Sequence, residues 1–106
     1  MAKFLIQVSY TPEGAKGVLK GGGSARRKAA ADVLEQFGGR IEAFYFAFGA
    51  DDAVLIVDVP DHETMAAISM TVAATGTIRT RATVLLTPEQ IDEAAKKHVT
   101  FRAPGQ

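Results

Sequence analysis

Cysteine is absent from the 106-residue chain, and so is tryptophan. Without cysteine there can be no disulfide, thiolate zinc site, iron–sulfur cluster or cysteine nucleophile. Histidine occurs only at His62 and His98. Two separated histidines with no carboxylate at ligand spacing make a poor metal site, so no metal, haem or other cofactor is expected. An excess of either charge is also missing: 12 Lys+Arg meet 12 Asp+Glu, for a formal net charge of zero. Such a balance gives no general pull towards nucleic acid or an anionic membrane, so neither is expected as a partner. No apolar run approaches the roughly 18 residues of a membrane span. The stretch from Met1 to Gln7 meets a polar residue too early for a signal peptide, and a cytoplasmic protein is expected.

What is present is globular in character, with 47% hydrophobic and 23% charged residues. The length suits one hydrophobic core. A single domain is therefore expected over 1–106, with its core in 3–97. Residues 98–106, holding Pro104 and Gly105, show no period and read as a loose end or a strap over a neighbour.

Periodicity supplies the elements. From Lys3 to Tyr10, Phe4, Ile6, Val8 and Tyr10 alternate with Leu5, Gln7 and Ser9, which marks a strand. Thr11-Pro12-Glu13 opens a helix, and Gly14, Gly17 and Gly21-Gly22-Gly23 are expected to keep it to a turn or two. Ser24 is read as the cap of a longer helix with Ala30, Val33, Leu34 and Phe37 on one stripe, ended by Gly38-Gly39. Arg40 to Phe48 is the second strand, with Ala43, Tyr45 and Ala47 on one side and Glu42, Phe44, Phe46 and Phe48 on the other. Gly49-Ala50-Asp51-Asp52 turns the chain into a third strand, Ala53 to Val59. Asp61 caps a helix that buries Met65, Ile68 and Val72 and ends at Gly76. Thr77 to Leu86 is the fourth strand. Thr87 and Gln90 form a capping box for a last helix through about Lys97. The order β-α-β-β-α-β plus a terminal helix is an α+β, ferredoxin-like arrangement: a four-stranded antiparallel sheet with helices on one face.

Two helices cover one face only. Yet the second and third strands are apolar on both, with Tyr45, Ala43 and Ala47 opposing the phenylalanines, and Leu55 and Val57 opposing Val54 and Ile56. An apolar face of that size is normally covered, and a second copy of the chain is the economical cover. A homodimer or higher homo-oligomer is expected.

The segments Phe4 to Gly14, Gly22-Gly23-Ser24-Ala25-Arg26-Arg27, Phe44-Tyr45-Phe46-Ala47-Phe48-Gly49 with Asp52, and Leu85-Leu86-Thr87-Pro88-Glu89 resemble the GYD-domain proteins. The resemblance spans about residues 3 to 102. It implies the fold and pairing of the dimeric α/β-barrel superfamily, whose members include cofactor-free monooxygenases, isomerases and sensing modules, so it implies no particular reaction. The chain departs from the signature at Asp51, where the family has Tyr; Asp52 matches.

Gln7 and Ser9 are polar residues in a strand that should be central, and so need partners, from a small polar cavity or a ligand. Tyr10 and Tyr45 are placed where a phenol could reach a cavity, although strand aromatics usually serve packing. Asp51 and Asp52 are ordinary turn residues; on the resemblance, Asp52 is the one to carry function. His62 and His98 read as surface positions. Arg79 and Arg81 read as guards of an edge strand, or as partners in ion pairs across an oligomer interface. Arg26 and Arg27 oppose the dipole of their own helix, and Arg26 extends the buried stripe from Ala30, so Ser24, Arg26 and Arg27 are candidates for a carboxylate or phosphate site. No phosphate loop, dinucleotide fingerprint or nucleophile–base triad is present, and the residues assign no reaction. The expected function is a homo-oligomeric binder of a small anionic or aromatic molecule between helices and sheet. The alternatives are a cofactor-independent oxygenase or isomerase acting on a small aromatic or carbonyl compound, and a structural oligomer.

Overall fold

The alternation of the first segment becomes β1 (Ala2–Tyr10) in a computed structural model that describes all residues from Met1 to Gln106. It is followed by α1 (Pro12–Gly21), α2 (Gly23–Glu35), β2 (Arg40–Phe46), β3 (Ala53–Val59), α3 (His62–Ala74), β4 (Ile78–Leu85) and α4 (Pro88–Ala95). The strands form one antiparallel sheet in the order β2-β3-β1-β4, so β1 and β3 are central and β2 and β4 are edges. The α+β, ferredoxin-like reading holds.

Local capping explains most boundaries. The Asp61 carboxylate accepts from the Thr64 N–H at 2.8 Å and starts α3. Thr87 and Gln90 exchange both bonds of a capping box at the start of α4. Two boundaries differ from the sequence expectation. α1 runs for 10 residues despite its glycines, and Gly14 has a role of its own: it lies where α1 passes Thr77, just before β4, and a Cβ there would strike the Thr77 carbonyl. The cap of α2 is Gly22, not Ser24: its φ of 83° breaks the chain direction between α1 and α2, and Ser24 falls inside the first turn.

β2 is shorter than expected, ending at Phe46, and its pairing with β3 shifts between Ile41 and Ala43. The shift corrects the expected faces. Ile41 and Phe44 both pack against the core, whereas Glu42 is exposed and reaches Lys3 at 3.0 Å. Phe37, expected on the buried stripe of α2, lies beyond the helix end and is exposed.

The helix face of the sheet carries the core: Phe4, Ile6, Val8, Leu55 and Val57 pack beneath Leu34 of α2 and Met65 of α3. Burying each such side chain contributes about 1.5–3 kcal/mol, and only nine hydrophobic residues are buried. α4 buries none, and the residues after it are exposed. The accessible surface is 7520 Å² for 11.2 kDa, about a third more than the ~5,700 Å² of a compact monomer of that mass. The radius of gyration is 16.9 Å, against about 13 Å for a compact domain of this length.

Candidate functional site

Between the helices and the sheet lies a cavity of about 330 Å³, 14 of whose 17 lining residues are hydrophobic, Tyr10 counted among them for its ring. Its volume is at the small end of the range for ligand pockets. Ile6, Val8, Leu55 and Val57 of the central strands form its floor, and Phe44 closes the β2 side. α2 contributes Arg26, Ala29, Ala30 and Val33, spaced three and four apart and hence on one stripe. Met65, Ile68 and Val72 come from α3 at the spacing expected from sequence. The polar lining is sparse: Tyr10, Arg26, Ser69 and Thr80. Tyr10 and Arg26 are the only ionisable residues in it, and no carboxylate faces the space.

The expected trio of Ser24, Arg26 and Arg27 is divided by the helix. Arg26 turns to the cavity, while Ser24 and Arg27 line a shallow hollow on the other side of α2 with Lys28, Glu35 and Arg40. The reason is helical geometry, since adjacent residues diverge by about 100°. Lys28 is paired along the helix with Asp32 at 3.0 Å.

The open face of the sheet holds two polar clusters. At one end, Asp51 of the β2–β3 turn accepts from Gln7 Nε2 at 3.1 Å, from Ser9 Oγ at 3.5 Å and from Arg81 Nη2 at 2.7 Å. Gln7 and Ser9 thus find their partner in a carboxylate of the same chain. Arg81 pairs within the chain as well, and Arg79 beside it is exposed. Asp52 points elsewhere: its carboxylate accepts from the Tyr10 N–H at 2.8 Å, and its own N–H donates to the Val8 carbonyl at 2.7 Å. Asp52 therefore ties the hairpin to the end of β1. Asp51, set aside as a turn residue on sequence, is the hub. The sequence signal was limited to Gln7 and Ser9, polar residues of a central strand that need a partner.

At the other end, buried Asp58 is held by Lys3 at 3.0 Å and Arg40 at 3.1 Å, and Lys3 also meets Glu42. Burial alone would push the Asp58 carboxyl upward, but the hydrogen bonds and charges of Lys3 and Arg40 outweigh it and hold the group below its ordinary 3.8. The Lys3 ammonium is raised, by its bond to Asp58 first and to Glu42 second. The sequence reading passed over this cluster. Its signal was a lone aspartate on the open-face phase of an otherwise apolar strand. Between the clusters the face is apolar, with Leu5 beside Ile56 and Tyr45 beside Val54. Tyr45 is 70% exposed in the isolated chain.

His62 sits at the start of α3, edge-on to Phe4 with ring centroids 5.4 Å apart, and His98 lies in the exposed tail. No group of three or more carboxylate or imidazole side chains is placed to hold a metal ion. No helix is long and apolar enough to cross a membrane.

The model of the family described as GYD domain matches residues 4–95. No curated protein and no solved structure matches the chain. The chain belongs to the GYD domain family.

Proposed function

From that membership and the geometry of the sheet, we propose that the protein is a cytoplasmic, homo-oligomeric binder of a small, mainly apolar molecule. The carrying observation is the cavity of about 330 Å³ between α2, α3 and the sheet. Its apolar walls with a few convergent polar groups are the usual composition of a ligand pocket. The lining holds no histidine or carboxylate to act as general acid or base, which favours binding over proton-transfer catalysis.

Self-association is supported by three features. The open face is apolar at its centre, the chain exposes about a third more surface than a compact monomer, and no residue of α4 is buried. Two sheets meeting through Leu5, Ile56 and Tyr45 would cover the first feature, and an arm laid on the neighbour would cover the third.

The test is titration of the protein with a fluorescent apolar probe, N-phenyl-1-naphthylamine, followed by the same titration of Ala30→Phe. The parent should bind one probe per chain. The variant, with a ring filling the cavity, should bind at least about tenfold more weakly while unfolding at a similar temperature. Equal binding by parent and variant would remove the cavity as the site.

A further inference from the structure

Of the 12 lysines and arginines, only Lys3 and Arg26 are not exposed. Lys3 lies between the carboxylates of Asp58 and Glu42. Arg26 has no carboxylate partner at all, and it lines an otherwise apolar cavity. Its position is unfavourable on two counts. A guanidinium drawn partly out of water needs a compensating charge. In the first turn of α2 it also faces the positive end of the helix dipole.

We propose that the ligand of this cavity is an amphipathic carboxylic acid, bound as its anion with the carboxylate on Arg26 and its apolar body between α2, α3 and the sheet. The inference rests on the binding function proposed above and names its ligand class. The remaining polar linings, Tyr10, Ser69 and Thr80, carry neutral hydroxyls. Each can donate to an anion, and no lining carboxylate repels one. The site is thus selective for negative charge by composition.

The choice of a carboxylate follows from charge and shape. One planar guanidinium matches one planar carboxylate through two parallel N–H···O bonds. A phosphate monoester brings roughly two negative charges at neutral pH, and the cavity offers one cation. The body must be apolar, because Val33, Leu34, Phe44 and Met65 offer no hydrogen bond. It must also be small, since 330 Å³ lies at the low end of the volumes of ligand pockets. A short alkyl chain or a single ring on a short linker fits those limits.

The experiment is calorimetric titration at neutral pH with two acid–alcohol pairs, octanoate with octan-1-ol and 4-phenylbutanoate with 4-phenylbutan-1-ol, and with octyl phosphate. In the parent protein at least one acid should bind about tenfold or more tightly than its alcohol, and octyl phosphate should not exceed octanoate. Arg26→Gln should bring acid and alcohol to parity, Arg26→Lys should keep part of the preference, and Arg27→Gln should keep all of it. Should Arg26→Gln not fold, Arg26→Lys against Arg27→Gln carries the comparison. If acid and alcohol bind the parent equally, the carboxylate assignment is overturned while the cavity stands as a binding site. A preference that survives in Arg26→Gln overturns the assignment to Arg26. Tighter binding of octyl phosphate overturns the choice of anion. Binding of none of the five probes overturns both the inference and the function on which it rests.

Discussion

The two faces of the sheet treat charge in opposite ways. On the open face Lys3, Arg40 and Arg81 all reach carboxylates of their own chain, and Asp58 and Asp51 each serve more than one donor. On the helix face a single cation, Arg26, stands against apolar walls with no carboxylate to meet. A face on which most charges are already matched, Arg79 at its margin excepted, can be pressed against another protein surface with little further cost of desolvation. A face with one unmatched cation in a cavity is suited to a small anion brought from outside. Under the proposals above, the same residue type would serve assembly on one side and recognition on the other, according to where its counter-charge comes from.

The contrast can be broken most severely in the middle of the open face. Ile56→Asp puts an unpaired carboxylate beside Leu5. If that face is buried between copies, the variant should lose about 3–5 kcal/mol of assembly free energy and sediment as a smaller species. If it is free in solution, the sedimentation coefficient should not change. On the helix face the matching lesion is Leu34→Ala. Leu34 is 4% exposed, and its truncation should destabilise the fold by about 2–5 kcal/mol in denaturant titration while enlarging the cavity.

The smallest expected effect concerns the charge clusters. Asp58 and Asp61 both titrate below their ordinary 3.8, Asp61 because Thr64 bonds its carboxylate through side chain and backbone. For a depressed carboxyl the stabilisation is present above the unfolded value and is lost as pH falls through the folded value. For Lys3, raised above its ordinary 10.5, the stabilisation is complete below that value and is lost as pH rises through the folded one. Stability should therefore be level between these limits and fall on both sides. Asp58→Asn should cost about 1 kcal/mol at neutral pH, since Arg40 and part of Lys3 remain solvated, and should flatten both limbs of the unfolding profile. An unchanged acid limb would show that the Lys3–Asp58–Arg40 cluster contributes nothing to folding.

Most of the fold was legible one segment at a time. Phe4, Ile6 and Val8 alternate because a strand turns successive side chains to opposite faces, and Asp61 and Thr87 cap helices through bonds to residues three positions away. The misplaced details arose where distant chain intervened. Gly14 was read as a helix breaker, but it is the residue that lets α1 pass the Thr77 carbonyl. The phase of β2 slipped at Glu42 because a bulge depends on the partner strand as much as on the strand itself.

The candidate site divides along the same line. That Arg26 extends the stripe of Ala30 and Val33 follows from the helical repeat, and the cavity lining bears it out. That Arg27 cannot join it follows from the same repeat, yet the grouping with Ser24 obscured this. The role of Asp51 could not come from local pattern, since its partners Gln7 and Arg81 lie 44 and 30 positions away in the chain. By itself, then, the sequence determined the elements, most of their caps and, outside β2, which residues alternate to which side, because these are set by bonds and sterics within about four residues. Only the tertiary structure decided which charges meet and which cation lines the cavity without a carboxylate. Strand order and register bring the open-face partners to hydrogen-bonding distance, and the packing of α2 on the sheet sets Arg26 apart from every carboxylate.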